Sequence, residues 1–401
     1  MLTSNVHTGW ETISEITSDW DGLLRSCQDG VNGPDTTCSS VWARALAQSH
    51  LKTADVCSLS LSSESGRHAL LPLFRTCGQA SLVRRREIRA VTEAHAGRSG
   101  LLVRNNDPAL VEALLRCVQT DLDPWDVFTF SVVEGSPSHK AVVQAARSIP
   151  FRMRCIATEK SPFIALESSW DAMLSALPKK LRWTIRKSEK ELSSKGRLQY
   201  AQAENPASTR SLLDTIYAIE RRSWKEKSRT SITAQDTQQA FYEALVPIAA
   251  EAGVLSAHTL RLDEQPIAYI LGLVGEDGVF LDLKESFDVT YSESSPGHVL
   301  KRFAIEALLA RGVALYDFMG KCEPYKMRWT DRTYRRLTLT MFGRSLRSRY
   351  FHFLSRIGGS SKPVPIAAPL ERSCGPSNYR RAPTNSLTDN ANRSTWASAN
   401  P

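Results

Sequence analysis

Three strand-like runs follow one another with almost nothing between them: Val254 to Leu262, Pro266 to Val274 and Val279 to Lys284. The links are Asp263-Glu264-Gln265 and Gly275-Glu276-Asp277-Gly278. Connections this short cannot carry a parallel crossover, so the three runs must make an antiparallel meander. The last run opens the stretch Leu281 to Trp329, where most of the chemistry is concentrated. A polar loop follows, then a Ser295-Pro296-Gly297 turn and an amphipathic helix, Val299 to Ala310. A short apolar run, Val313 to Tyr316, leads to Tyr325-Lys326 and Trp329.

The helix start is informative. Serine is a preferred N-cap and proline suits the first helical position. Gly297 has no side chain, so a ligand can approach the backbone there. Free N–H groups and the helix dipole make such a start an anion site, and Ser295 to His298 is the expected place for one. The plainer reading is a well-capped helix and nothing more. Lys326, with no obvious acidic neighbour, can stabilise an oxyanion, and Tyr325 can donate or accept a proton. A surface lysine beside a packing tyrosine is the alternative. Asp282, Glu285 and Asp317 are the candidate bases, and alternation puts Asp282 and Lys284 on one side of a strand. Cys322 is a tempting nucleophile, with His298 its nearest candidate partner by motif.

The rest of the chain reads as support. At 401 residues it has room for two domains. The first, residues 1–155, is an α/β half. Asp55 to Leu61 and His68 to Phe74 read as neighbouring strands, Pro108 to Leu122 as a helix capped by Asp107, and His95 as a surface histidine. The second, residues 156–345, holds the meander. It also holds a helix, Leu177 to Leu192, whose apolar stripe Leu177, Leu181, Ile185 and Leu192 runs beside a basic one of Arg182, Arg186 and Lys190. From about residue 346 to 401 the chain is basic and largely without periodicity, and SLTDNANRSTWASANP reads as disordered. Arg344 to Arg356, with aromatics interleaved, reads as a short helix packing back on the domain or as a contact to anionic lipid or nucleic acid.

The net charge of +9 favours anionic partners. No apolar run is long enough to span a bilayer and no secretory signal is evident. The eight cysteines form no CxxC pair, which fits reduced thiols in a cytoplasmic protein. The histidines never cluster, so no metal site is expected.

The LPKKLRWTIRKSEKEL helix is followed by Lys284 with Phe287-Asp288, then Ser295-Pro296-Gly297. Asp317-Phe318, Gly320, Tyr325-Lys326 and Trp329 complete a pattern over about residues 160 to 330. The pattern resembles the bacterial CelD or BioF2-like acetyltransferases of the GNAT superfamily, which are related to the FemAB transferases. The resemblance implies an α/β (α+β) fold of tandem GNAT-like domains, with mixed, mostly antiparallel sheets flanked by helices and a degenerate first unit. It implies an N-acyltransferase that moves an acyl group from acyl-CoA (acetyl-CoA) to an amine on a sugar, lipid or peptide, in envelope or exopolysaccharide metabolism. Under it, Lys326, Tyr325, Asp282 and Glu285 serve catalysis. Ser295, Pro296, Gly297, His298, Arg182 and Arg186 hold the donor. The usual Q/RxxGxG/A phosphate loop is missing. The alternatives are an aminoacyl-tRNA donor, as in FemAB relatives, and a non-catalytic scaffold or envelope-assembly protein docked to a membrane or a partner by its basic tail.

Overall fold

The computed structural model describes residues 2–9, 17–27, 33–49, 56–80, 83–90, 100–122, 124–149 and 152–357. His95 and the SLTDNANRSTWASANP segment lie outside the described residues. The strands are β1 (Thr3–Thr8), β2 (Val56–Ser63), β3 (Gly66–Ala80), β4 (Val83–Ala90), β5 (Leu102–Val103), β6 (Val127–Val133) and β7 (Arg152–Ala165). They continue with β8 (Leu198–Ala203), β9 (Leu255–Leu262), β10 (Gln265–Val274), β11 (Val279–Phe287), β12 (Leu315–Asp317) and β13 (Thr333–Phe342). The helices are α1 (Thr17–Arg25), α2 (Ser40–Ser49), α3 (Pro108–Thr120), α4 (Pro137–Ser148), α5 (Trp170–Ala176) and α6 (Lys179–Lys195). After them come α7 (Thr209–Arg221), α8 (Trp224–Lys227), α9 (Asp236–Glu251), α10 (Pro296–Ala310) and α11 (Leu346–Ile357).

All the strands join one mixed, mostly antiparallel sheet, in the order β1-β2-β3-β4-β6-β13-β7-β12-β11-β10-β9-β8, with β5 paired to β3. The meander is present as expected, with β10 antiparallel to both β9 and β11. β2 and β3 pair antiparallel. Asp107 caps α3 by accepting from the Ala109 N–H. Gly253, just past α9, has φ +69°, the left-handed geometry a helix-ending glycine supplies.

Two features escape the sequence reading. β7 is a single strand of 14 residues, because it is shared by both halves of the sheet. It pairs with β12 through Phe163 to Ala165 and with β13 along most of its length. β13 has no counterpart in the sequence reading, yet it lies between β6 and β7 and joins the halves. Its Arg336 is buried, lying 3.3 Å from Asp35 and donating to Ser131 Oγ at 3.1 Å. A buried arginine in a strand hides the alternation that Leu337, Leu339 and Met341 carry.

Helices cover both faces of the β8–β12 region. One layer packs α2, α7 and α9 on Tyr269, Leu271 and Leu281. The other packs α5, α6 and α10 on Ile270, Phe280 and Tyr316. The cavity described below opens beside this second layer.

Asp277, in the β10–β11 turn, gives a test of the fold's electrostatics. Burial pushes its carboxyl from 3.8 up to about 7, even though it accepts from the Val279 N–H. A folded value above the unfolded one means stability present in acid is lost as pH rises through 7. Asp277→Asn keeps an oxygen for Val279 and removes the charge. Its stability advantage in urea denaturation is expected to be small at pH 4, to grow to about 1–3 kcal/mol at pH 8, and to level off above that. Equal stabilities at pH 8 would show that the carboxylate ionises there without cost.

Candidate active site

The site is built around an irregularity in β11. Its register against β10 runs Ile270 to Glu285 and Leu271 to Lys284, then jumps from Gly272 to Asp282. Leu283 is the extra residue, a β-bulge that re-aims the side chains after it. Gly272 makes the bulge possible. A Cβ there would lie 2.3 Å from Phe280 Cζ and 2.5 Å from the Leu281 carbonyl oxygen, so only glycine lets the strands close.

The bulge corrects the expectation that Asp282 and Lys284 share a side. Lys284 turns to α9, where its Nζ donates to Gln238 Oε1 at 3.0 Å. Asp282 and Glu285 instead share the opposite face and one cation. Lys301 of α10 donates to Asp282 Oδ2 at 3.2 Å and to Glu285 Oε2 at 2.7 Å. It also reaches the Tyr316 hydroxyl at 2.9 Å, and that hydroxyl donates to Asp282 at 2.6 Å. Lys301 is only 1% exposed and lies over the rings of Tyr316 and Phe318.

A cavity of about 380 Å³ opens onto this cluster. Glu285, Lys301 and Tyr325 line it, together with Ser295, Gly297 and His298 from the start of α10. Five of the ten expected site residues therefore meet in one space. Its remaining wall is largely apolar, from Trp224, Ile270 and Phe287. The volume and character suit a small organic ligand.

The carboxylates differ. Burial raises Asp282 to about 6, with Glu285 adding to the rise and Lys301 opposing it. Burial also works against the charged form of Glu285, but Lys301, Lys326 and Lys225 outweigh it and hold its carboxyl below the ordinary value. Glu285 is the ionised member at neutral pH, and its Oε1 is buried without a hydrogen bond of good geometry. Tyr325 faces this carboxylate from the cavity mouth. Burial, followed by Glu285 and Asp282, raises the phenol far above its usual value.

Other expectations need correction. Ser295 occupies the N-cap position but adopts left-handed φ/ψ of 44° and 54° and makes no side-chain cap bond. Pro296 at the next position is buried and does not line the cavity. The Lys326 ammonium is not without acidic company. It lies 3.0 Å from Glu323 and donates to the Met319 carbonyl at 3.3 Å, behind the cavity wall. Asp317 is fully buried and accepts from the Met319 N–H and the Tyr334 hydroxyl, which makes it a structural anchor. His298 does not meet Cys322. Its ring nitrogens face Arg328 and Trp329, each at 3.1 Å, while Cys322 Sγ donates to the Lys160 carbonyl. Burial and then Arg328 lower His298 to about 4, so it is neutral at physiological pH. The apolar stripe of α6 is buried as expected, but Arg182 and Arg186 lie beside it, outside the residues lining the cavity.

The sequence reading missed Lys301. Its signal was present: it stands four residues after Gly297 and four before Ile305, on the apolar face of α10.

Residues 179–327 match the family model of the acetyltransferase (GNAT) domain. The fold as a whole is similar to the crystal structure of FemX, with a TM-score of 0.57 at 10% identity, covering 84% of this chain and 98% of that one. It is also similar to the C-terminal domain (DUF2156) of a protein from Agrobacterium fabrum named as a lysylphosphatidylglycerol synthetase. That match has a TM-score of 0.51 at 13% identity, over 88% of this chain and 99% of that one. A conserved protein of unknown function from Bacteroides thetaiotaomicron matches with a TM-score of 0.50 at 12% identity, over 81% and 97% of the two chains. No curated protein sequence matches the chain.

Proposed function

Residues 179–327 form an acetyltransferase domain of the GNAT family, and from this premise we propose that the protein is an N-acyltransferase that takes an acyl group from acyl-CoA. The acceptor is an amine carried by a sugar, lipid or peptide of the envelope or of an exopolysaccharide. We further propose that residues 1–155 are a degenerate unit of the same kind. The observation that carries the reading is the meeting of the α10 start with the Lys301-paired Glu285 in one largely apolar cavity.

The residues divide the work as follows. The Gly297 N–H and the positive end of α10 face the anionic part of the donor. Trp224, Ile270 and Phe287 give the acyl chain and its thioester an apolar wall. The amine attacks the thioester carbonyl carbon, forming the C–N bond, and its nitrogen then carries a proton it must lose. The Glu285 carboxylate accepts that proton. A phenol pushed up this far keeps its own proton, so Tyr325 acts as a hydrogen-bond donor to the negative charge on the carbonyl oxygen or departing sulfur. The C–S bond breaks, the sulfur leaves as a thiolate, and it takes up a proton from the protonated Glu285 or from solvent, which returns Glu285 to its ionised form. Lys326 and Lys301 act through the carboxylates, keeping Glu285 charged.

A second reading keeps the chemistry and changes the donor. The exposed Arg186 and Lys190 and the half-exposed Arg182 on α6 suit an aminoacyl-tRNA. Calorimetry with acetyl- and longer acyl-CoA, then with aminoacyl-tRNA, separates the two. The first reading requires heat with an acyl-CoA, and heat with the tRNA alone would replace it by the second. Gly297 supplies a sharper version. A Cβ there would sit 3.6 Å from Phe287 Cδ1, so alanine fits, whereas a leucine side chain fills the cavity mouth. Gly297→Leu is expected to weaken acyl-CoA binding about 10-fold or more, with the melting transition kept. Unchanged binding would move the donor site elsewhere.

A further inference from the structure

The helix α11 carries two apolar faces. One packs inward, where Phe351 is buried with Val127 and Phe342 and Leu354 rests against them. The other points out. Leu346, Tyr350, Phe353 and Ile357 are 80%, 40%, 58% and 68% exposed. Steps of four, three and four residues put these side chains in one stripe along the helix. Four large apolar groups in a row on an outward face mark an interaction surface.

The charges around the stripe state what kind of surface it meets. Arg349 and Arg356 flank it on one side, and Arg344 stands at its start, all exposed. On the other flank Arg347 lies 3.0 Å from Asp126, which is fully buried and is also held by Arg86 at 3.1 Å. That carboxylate is already outnumbered. Behind the helix, His352 is held below its ordinary value by burial and then by Arg152, Arg356 and Arg154 crowding it. The face is thus cationic around an apolar centre.

We propose that this face of α11 docks on a bilayer surface rich in anionic phospholipid, with the stripe in the interfacial layer and the arginines on the headgroup phosphates. A nucleic acid would satisfy the arginines but not the stripe. Strands are held by charge and by aromatic stacking, and the two most exposed members, Leu346 and Ile357, are aliphatic. The inference is independent of the acyl-transfer reading.

The test is sedimentation of the full-length chain with vesicles of phosphatidylcholine, with or without a quarter of phosphatidylglycerol. Binding is expected only to the anionic vesicles. Leu346→Asp with Ile357→Asp is expected to weaken it about 10-fold or more, and Arg349→Gln with Arg356→Gln several-fold, most clearly at low salt. Phe353→Ser serves in place of the double aspartate variant if that one melts early. Thiol release with a soluble amine should be the same in all these variants, so loss of docking and loss of catalysis are separately visible. Failure to bind anionic vesicles, or binding that ignores the stripe, would overturn the proposal. So would tRNA binding that depends on the stripe, or a dimer in ultracentrifugation that the stripe variants split.

Discussion

Glu285→Gln is expected to lower the rate of acyl transfer by about 10²–10⁴-fold while acyl-CoA binding changes by less than about 3-fold. Glutamine has the same shape and keeps an oxygen for Lys301, so the cavity stays formed. What it loses is an acceptor for the proton that the nitrogen sheds after attack. That proton is far more acidic on the tetrahedral adduct than on the free amine, so a carboxylate held below its ordinary value is basic enough. The same low value sets the pH signature. Glu285 stays ionised through the neutral range, so the variant's deficit should be constant between about pH 6 and pH 9. The wild-type acid limb should follow the acceptor amine instead. Steady-state thiol release across that range, with calorimetry for the donor, reads both. A variant within a few-fold of wild type would remove Glu285 as the base. A deficit confined to KM would recast it as a binding group.

Much of the frame behind this prediction is legible in sequence, because it rests on local rules. Short turns dictate the meander, and Ser-Pro-Gly before an amphipathic run dictates the start of α10. Tyr325 and Glu285 stand out beside them as reactive groups in a short stretch. Spatial grouping is a different matter. The bulge at Leu283 inserts one residue and puts Asp282 and Lys284 on opposite sides, and no alternation pattern announces it. Its one trace is Gly272, a glycine inside a strand, whose reason is Phe280 on the neighbouring strand. β13 was hidden by Arg336, whose partner Asp35 is about 300 residues away in sequence. Ser295 looked like a side-chain cap but serves through its backbone turn. Lys326 drew attention for lacking an acidic neighbour, although Glu323 stands one helical turn before it. Lys301, on the apolar stripe of α10, was the more informative lysine, since a cation on a buried face implies buried anions.

Lys301→Met is accordingly expected to be the most destabilising single change at the site, by about 3–5 kcal/mol at pH 8. Methionine fills the space and keeps contact with Tyr316 and Phe318, so packing contributes little to the loss. The cost is electrostatic: Asp282 and Glu285 would face each other in a buried setting with their shared cation gone. Both carboxyls would then titrate above their unfolded values. A raised folded value gives stability in acid that is lost as pH rises, so the variant should recover toward wild type as pH falls from about 8 to 5. Wild type moves less over that range, because Lys301 offsets one charge and keeps Glu285 ionised throughout it. Urea denaturation of both proteins at several pH values measures the gap. A gap that narrows in acid assigns Lys301 to charge balance. A gap that stays constant would mean the lysine matters through its packed stem, and Glu285 would owe its ionised state to Lys326 and Lys225 instead. Adding Asp282→Asn to the variant separates the outcomes further. Removing one carboxylate should restore at least half of the lost stability if charge is the cause.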